Sequence, residues 1–253
     1  MEIGAQLYTV RDHCKTPDDF AETLRRIAAI GYKTVQVSGT CAYEPEWLRD
    51  RLRETGLRCV LTHTSPDRIR DRTQEVMADH AVFGCRYIGI GCAPNCLAGG
   101  EADFATLCGI IDAAAKPFAD GGYRLMYHNH ALEFARSEDG RTWFDRLLKK
   151  YDGSLLGFTL DTFWLQAAGL DVADFIRTLT GRIPCVHLKD MGVKGNAHIM
   201  EPVGSGNMDF DKIIKACADA GTEYLLVEQD DCNGEDPFAC LEKSYQFLAS
   251  RGF

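Results

Sequence analysis

The chain has 253 residues, 45% of them apolar and 26% charged, with a formal net charge of −9 and eleven cysteines. These values exclude the collagen-like and disordered classes, and no apolar run approaches the roughly 18 residues of a bilayer-crossing helix, so a membrane is not an expected partner. Nucleic acid is not expected either, because an acidic chain repels phosphates that are normally met by a basic footprint.

In chain order, short apolar and β-branched runs alternate with longer segments of helical periodicity, the pattern of parallel βαβ units. A strand is predicted over Ile3 to Tyr8. A helix follows, with Thr16 as N-cap, Pro17 at its first position, an apolar stripe of Phe20, Leu24, Ile27 and Ala28, and Gly31 closing it. Further strands are predicted at Thr34 to Val37, Arg58 to Thr62, Tyr87 to Ile90, Arg124 to His128, Leu156 to Leu160, Pro184 to Lys189 and Tyr224 to Glu228. Phe144, Leu147 and Leu148, then Phe210, Ile213, Ile214 and Cys217, supply later helical stripes. Eight units in about 250 residues, with no glycine fingerprint at the first βα turn, favour a closed barrel over an open doubly wound sheet. The expected architecture is α/β, a single (β/α)₈ TIM barrel occupying residues 1–253 as one domain.

The cysteine count is odd, and the first strand starts without the basic and apolar regions of an export signal, so reduced thiols and a cytoplasmic location are expected. Cys92 with Cys96, and Cys232 with Cys240, are too loosely spaced for a zinc ribbon. Cys59, Cys85, Cys185 and Cys217 fall where small buried apolar residues fit.

A barrel of this kind carries its chemistry at the C-terminal ends of its strands. The last four strands end in metal-competent groups: Tyr127-His128-Asn129-His130, Leu160-Asp161, Val186-His187-Leu188-Lys189-Asp190 and Val227-Glu228-Gln229. His63 ends the third strand and Gln6 and Tyr8 the first, where they are expected to contact substrate, with Lys189 neutralising a developing oxyanion. Gly204-Ser205-Gly206, with Lys194 nearby, reads either as a phosphate cradle or as a tight turn before the helix from Asp209.

These pieces, together with Gly31-Tyr32, the stretch Tyr-His-Asn-His-Ala-Leu-Glu-Phe at 127–134, Leu160-Asp161-Thr162 and Pro202-Val203-Gly204-Ser205-Gly206-Asn207, resemble the xylose-isomerase-like barrel superfamily of sugar isomerases and epimerases, which also has an endonuclease branch. The resemblance spans nearly the whole chain. It implies a divalent cation held by a Glu, an Asp, a His and a second Glu from successive strand ends. Asp161, His187 and Glu228 match the last three. Many relatives carry the first Glu at the end of the fifth strand, where this chain has His128, so Glu133 in the following turn is taken as the fourth ligand, with His128 as runner-up.

Three carboxylates and one imidazole make a mainly hard donor set, suited to Mn²⁺ first and to Mg²⁺ or Co²⁺ as alternatives. Beside such a cation, Glu228, Glu133, His128 and His130 are the candidates for moving a proton. The expected activity is isomerisation or epimerisation of a ketose or keto-sugar through an enediolate. A lyase or dehydratase performing β-elimination on a 3-keto-glycoside or keto-polyol is the close alternative, and a noncatalytic sugar-binding subunit or an endonuclease is less favoured. The expected partner is a small carbohydrate, with a homo-oligomer or a partner chain over a short-looped barrel mouth as a further option.

Overall fold

The computed structural model describes residues 1–93 and 100–253; Cys96 lies outside them, and with it the Cys92–Cys96 spacing. Eight parallel strands close into a barrel: β1 (Glu2–Gln6), β2 (Thr34–Val37), β3 (Arg58–His63), β4 (Tyr87–Ile90), β5 (Arg124–His128), β6 (Leu156–Asp161), β7 (Cys185–Leu188) and, after a two-stranded excursion, β10 (Tyr224–Val227). Around the barrel the order is β1-β10-β7-β6-β5-β4-β3-β2. Strands such as β2 and β6 are buried along their whole length, because helices cover the outside while side chains fill the inside.

The first helix, Pro17–Ile30, forms as its sequence directs. Thr16 accepts a hydrogen bond from the Asp19 N–H, and Gly31 ends the helix at φ 125°, where an added Cβ would strike the Tyr245 ring.

Inside the barrel, Met126, Cys185 and Leu226 join Val60, Leu61 and Tyr87 in a small apolar cluster separate from the main core. Side chains on a strand alternate with a period of two. His128, His187 and Glu228 stand two residues beyond Met126, Cys185 and Leu226, so they share that inward face one layer higher, on an apolar floor.

Two expectations are corrected. The first strand stops at Gln6 rather than Tyr8, because the Gln6 side chain accepts the Tyr8 N–H and starts a 3₁₀ segment, Leu7–His13. The mouth also carries more than short loops: after β7 the chain forms an antiparallel hairpin of β8 (Asp190–Lys194) and β9 (Ala197–Glu201). Met200 at its far side accepts hydrogen bonds from Asn233 and Gln229 of the loop after β10.

Gly204 and Gly206 do not form a phosphate cradle. Their N–H groups, with those of Met191 and Met208, donate to the Asp190 carboxylate, which fastens the return from the hairpin. No disulfide joins the ten described cysteines. Among the described residues no helix is long and apolar enough to cross a membrane.

Candidate metal centre

Donor atoms of His128, Asp161, His187 and Glu228 all lie within 4.8 Å of one another, and all four residues are buried. They come from the ends of β5, β6 and β7 and from the residue after β10. Each carboxylate is anchored by one oxygen and presents the other inward. Asp161 Oδ1 accepts the Trp164 N–H, capping the helix Thr162–Ala167, and the Asp161 N–H donates to Asn129 Oδ1. Glu228 Oε1 accepts from Gln6 Nε2 at 3.1 Å.

The imidazoles are oriented in the same way. His128 Nδ1 lies 2.9 Å from the Gly91 carbonyl, which can only accept, so this nitrogen carries the proton and Nε2 offers its lone pair, 3.4 Å from Asp161 Oδ2. His187 Nε2 donates to Gln36 Oε1 at 2.6 Å, turning Nδ1 toward the cluster. Nδ1 then sits 2.8 Å from Glu228 Oε2 without hydrogen-bond alignment and has no hydrogen-bond partner, while Oε2 has the Lys189 ammonium at 3.1 Å. Two such acceptors facing each other in a buried site call for a cation or a proton between them. Burial alone would lower the His187 pKa, but Glu228 and Asp161 outweigh it and raise it to about 9. With two imidazole nitrogens and two carboxylate oxygens turned to one place, the residues fit a metal ion.

Lys189 completes the arrangement. Its Nζ is buried 2.9 Å from Asp161 Oδ2, 3.1 Å from Glu228 Oε2 and 2.9 Å from Asp230 Oδ2. Burial works against both carboxylates' ionisation, but the ammonium holds Asp161 and Glu228 well below the ordinary carboxylate range. The same three carboxylates lift Lys189 above its usual value against the cost of burial.

Glu133 stands apart from this group. Its oxygens accept from the Tyr127 hydroxyl at 2.5 Å and the His130 N–H at 2.7 Å, so it fixes the 127–130 segment instead of facing the cluster. His128 stands in the cluster in its place, so the donors brought together are two imidazoles and two carboxylates.

A cavity of about 530 Å³ opens over the cluster, lined by Gln6, Tyr8, His63, His128, His130, Lys189 and Glu228, with Arg11, Ser38 and Asp230 among its other walls. The expected substrate contacts thus gather in one place, although Gln6 spends both side-chain atoms on Tyr8 and Glu228. Burial pushes the imidazoles of His130, to about 3, and His63 downward, with His128 adding to it, so both are neutral near pH 7. Gly89 and Gly91 make room for the His63 ring, which an added Cβ at either would meet within 3.1 Å.

Sequence reading missed Gln36 and Asp230, and gave Asn129, named among the strand-end groups, no role of its own. A lone polar residue inside the buried Thr-Val-Gln-Val strand was the available signal for Gln36. Asp230, two residues past Glu228, was the signal for a second inward carboxylate.

The chain belongs to the xylose isomerase-like TIM barrel family, whose model matches residues 24–250. Over 169 residues, 60% of this chain, it is 26% identical to an inosose dehydratase of Clostridium perfringens. That match covers 54% of the relative, so the chain spans about half the length of the curated relatives it matches. In fold it is similar to a sugar phosphate isomerase/epimerase from Parabacteroides distasonis, with TM-score 0.82 and 21% identity over 99% of this chain and 94% of the other. It is also similar to the probable 3-DHS dehydratase AsbF of Bacillus anthracis, with TM-score 0.75, 16% identity and full coverage of both chains. The family's members are mostly enzymes, dehydratases as well as isomerases and epimerases.

Proposed function

We propose that this protein is a divalent-metal-dependent enzyme that removes a proton from the carbon beside a carbonyl of a polyhydroxylated keto substrate and goes on to β-elimination. The observation that carries this reading is the convergence of two imidazole lone pairs and two carboxylate oxygens beneath a cavity lined with hydrogen-bonding groups. When bound there, a divalent cation, with Mn²⁺ as first choice, supplies Lewis-acid polarisation of the carbonyl and neutralises negative charge.

The chain's own residues supply the proton handling. Glu228 lines the cavity, and with Oε2 turned into the metal set, Oε1, which accepts from Gln6, is the oxygen in place to take the proton. Lys189 keeps Glu228 ionised and thus able to act as a base. His130 lines the cavity as a neutral imidazole whose buried Nδ1 has no hydrogen-bond partner, in place to hydrogen-bond a departing oxygen, which leaves with the proton that Glu228 took.

Elimination is placed ahead of isomerisation or epimerisation because the fifth strand ends in His128 rather than a carboxylate. An elimination needs one base and one acid, whereas inverting a centre needs proton exchange on both faces. The similarity to an inosose dehydratase supports the same order. Epimerisation is the second reading, favoured by His130, which stands two residues past the end of β5 with β6 and β7 between that strand and β10, as a second exchanging group.

The test is incubation of Mn²⁺-loaded protein in D₂O with inososes and 3-keto-glycosides, followed by NMR. Deuterium beside the carbonyl with loss of water or aglycone is the expected result. Deuterium with inverted configuration and no leaving group would move the assignment to epimerase, and no exchange across the panel would contradict proton abstraction.

A further inference from the structure

Lys189 Nζ contacts the same two oxygens, Asp161 Oδ2 and Glu228 Oε2, that face the imidazoles of the metal set. A buried ammonium and a divalent cation sharing those oxygens would repel each other strongly in a site with little water. The third contact of Nζ is different in kind. Asp230 Oδ2, at 2.9 Å, belongs to no metal ligand, and its side chain is 26% exposed, on the cavity side. Arg11 Nη2 donates to the Asp230 carbonyl at 3.1 Å, which anchors the loop that carries it.

The charges close only when Asp230 is included. With His128 and His187 neutral as ligands, Asp161, Glu228 and Asp230 contribute three negative charges and Lys189 one positive. A divalent cation cancels the remainder. Without Asp230, the loaded site would keep one uncompensated positive charge in the interior.

Resting on the metal reading above, we infer that Asp230 is a positioning residue that makes room for the cation: it takes over the Lys189 ammonium, so that Asp161 and Glu228 can turn their inward oxygens to the metal. Lys189 is in this respect an internal counter-ion that holds the carboxylates before loading and leans on Asp230 afterwards.

The experiment is calorimetric titration of Mn²⁺ into the metal-stripped full chain, comparing wild type, Asp230→Asn, Asp230→Glu, Lys189→Met and the Asp230→Asn/Lys189→Met double variant, each checked by thermal unfolding. Asp230→Asn is expected to weaken binding by about 10- to 100-fold, the range for a group that supports a metal ligand. Asp230→Glu keeps the charge and is expected to bind as wild type. The double variant removes one charge of each sign and is expected to recover to within a few-fold of wild type, a rescue that a merely structural role for Asp230 would not produce. Unchanged binding in Asp230→Asn, or a double variant weaker than Asp230→Asn, would overturn the inference while leaving the metal centre standing. No Mn²⁺ binding in the wild type would instead remove the metal reading, and this inference with it.

Discussion

His187 on β7 donates its Nε2–H to Gln36 on β2 at 2.6 Å, reaching across the barrel past β10 and β1. This single hydrogen bond decides which ring nitrogen faces the metal site. Gln36→Met keeps the bulk of the side chain and removes the acceptor. Mn²⁺ affinity is expected to fall by about 10- to 100-fold, as for other losses of a ligand's outer partner, with the fold retained. Calorimetric titration alongside circular dichroism checks both parts.

Asp161 has two duties that substitution can separate. Its Oδ1 caps the helix Thr162–Ala167 while Oδ2 faces His128 and Lys189. Asp161→Asn retains a capping oxygen and loses the charge, so metal retention is expected to vanish and stability to fall with the loss of the buried Lys189 ion pair. Asp161→Ala is expected to lose the metal and the ion pair and to be about 1 kcal/mol less stable than Asp161→Asn through the missing cap. Equal stabilities for the two variants would show that the cap contributes nothing.

Glu133 provides the opposite case. Because its oxygens are occupied by the Tyr127 hydroxyl and the His130 N–H, Glu133→Gln is expected to keep one metal ion per chain while turnover falls through a misplaced His130. Elemental analysis of the purified variant decides the point, and loss of the metal would restore Glu133 to the ligand set.

The contrast between Asp161 and Glu133 shows what the sequence made legible. Strands in a closed parallel barrel are buried on both faces, so their apolar runs stand out, and a polar residue at the end of such a run has few places to go but the mouth. Asp161, His187, Lys189 and Glu228 were found on that ground. Glu133 lies in a turn, where family likeness alone pointed to the metal; its real partners, a hydroxyl six residues back and a backbone N–H, depend on how the turn folds. The hairpin after β7 was announced by Gly195-Asn196 between two short strands, a two-residue turn signal, with Gly195 at φ 63°. Residues 190–201 lack clear apolar alternation, and Val193 is 55% exposed, so the strand signal on either side of that turn is weak. Asp190 and the 204–206 glycines could be understood only once that hairpin brought them together.

His80 lies outside the site and supplies a test of the fold. It is buried, with Nδ1 2.7 Å from the Val76 carbonyl and Nε2 2.8 Å from the Thr62 hydroxyl, and burial lowers its pKa from 6.5 to about 4. Near pH 7 and above, the ring is neutral folded or unfolded. As pH falls through 6.5 the unfolded chain gains a proton that the folded one refuses. Stability is therefore lost progressively until about pH 4, by roughly 3 kcal/mol from this group. In His80→Gln that portion of the slope is expected to disappear, read as the difference between wild-type and variant denaturation midpoints at pH 7 and pH 4.5.

The composition of the metal set is tested most directly by pulsed electron paramagnetic resonance of the Mn²⁺-loaded protein, prepared with ¹⁵N-labelled histidine. Couplings to two directly bound imidazole nitrogens are predicted, falling to one in His128→Ala. A single coupling in the wild type, unchanged in His128→Ala, would contradict the arrangement of His128, Asp161, His187 and Glu228 around one ion.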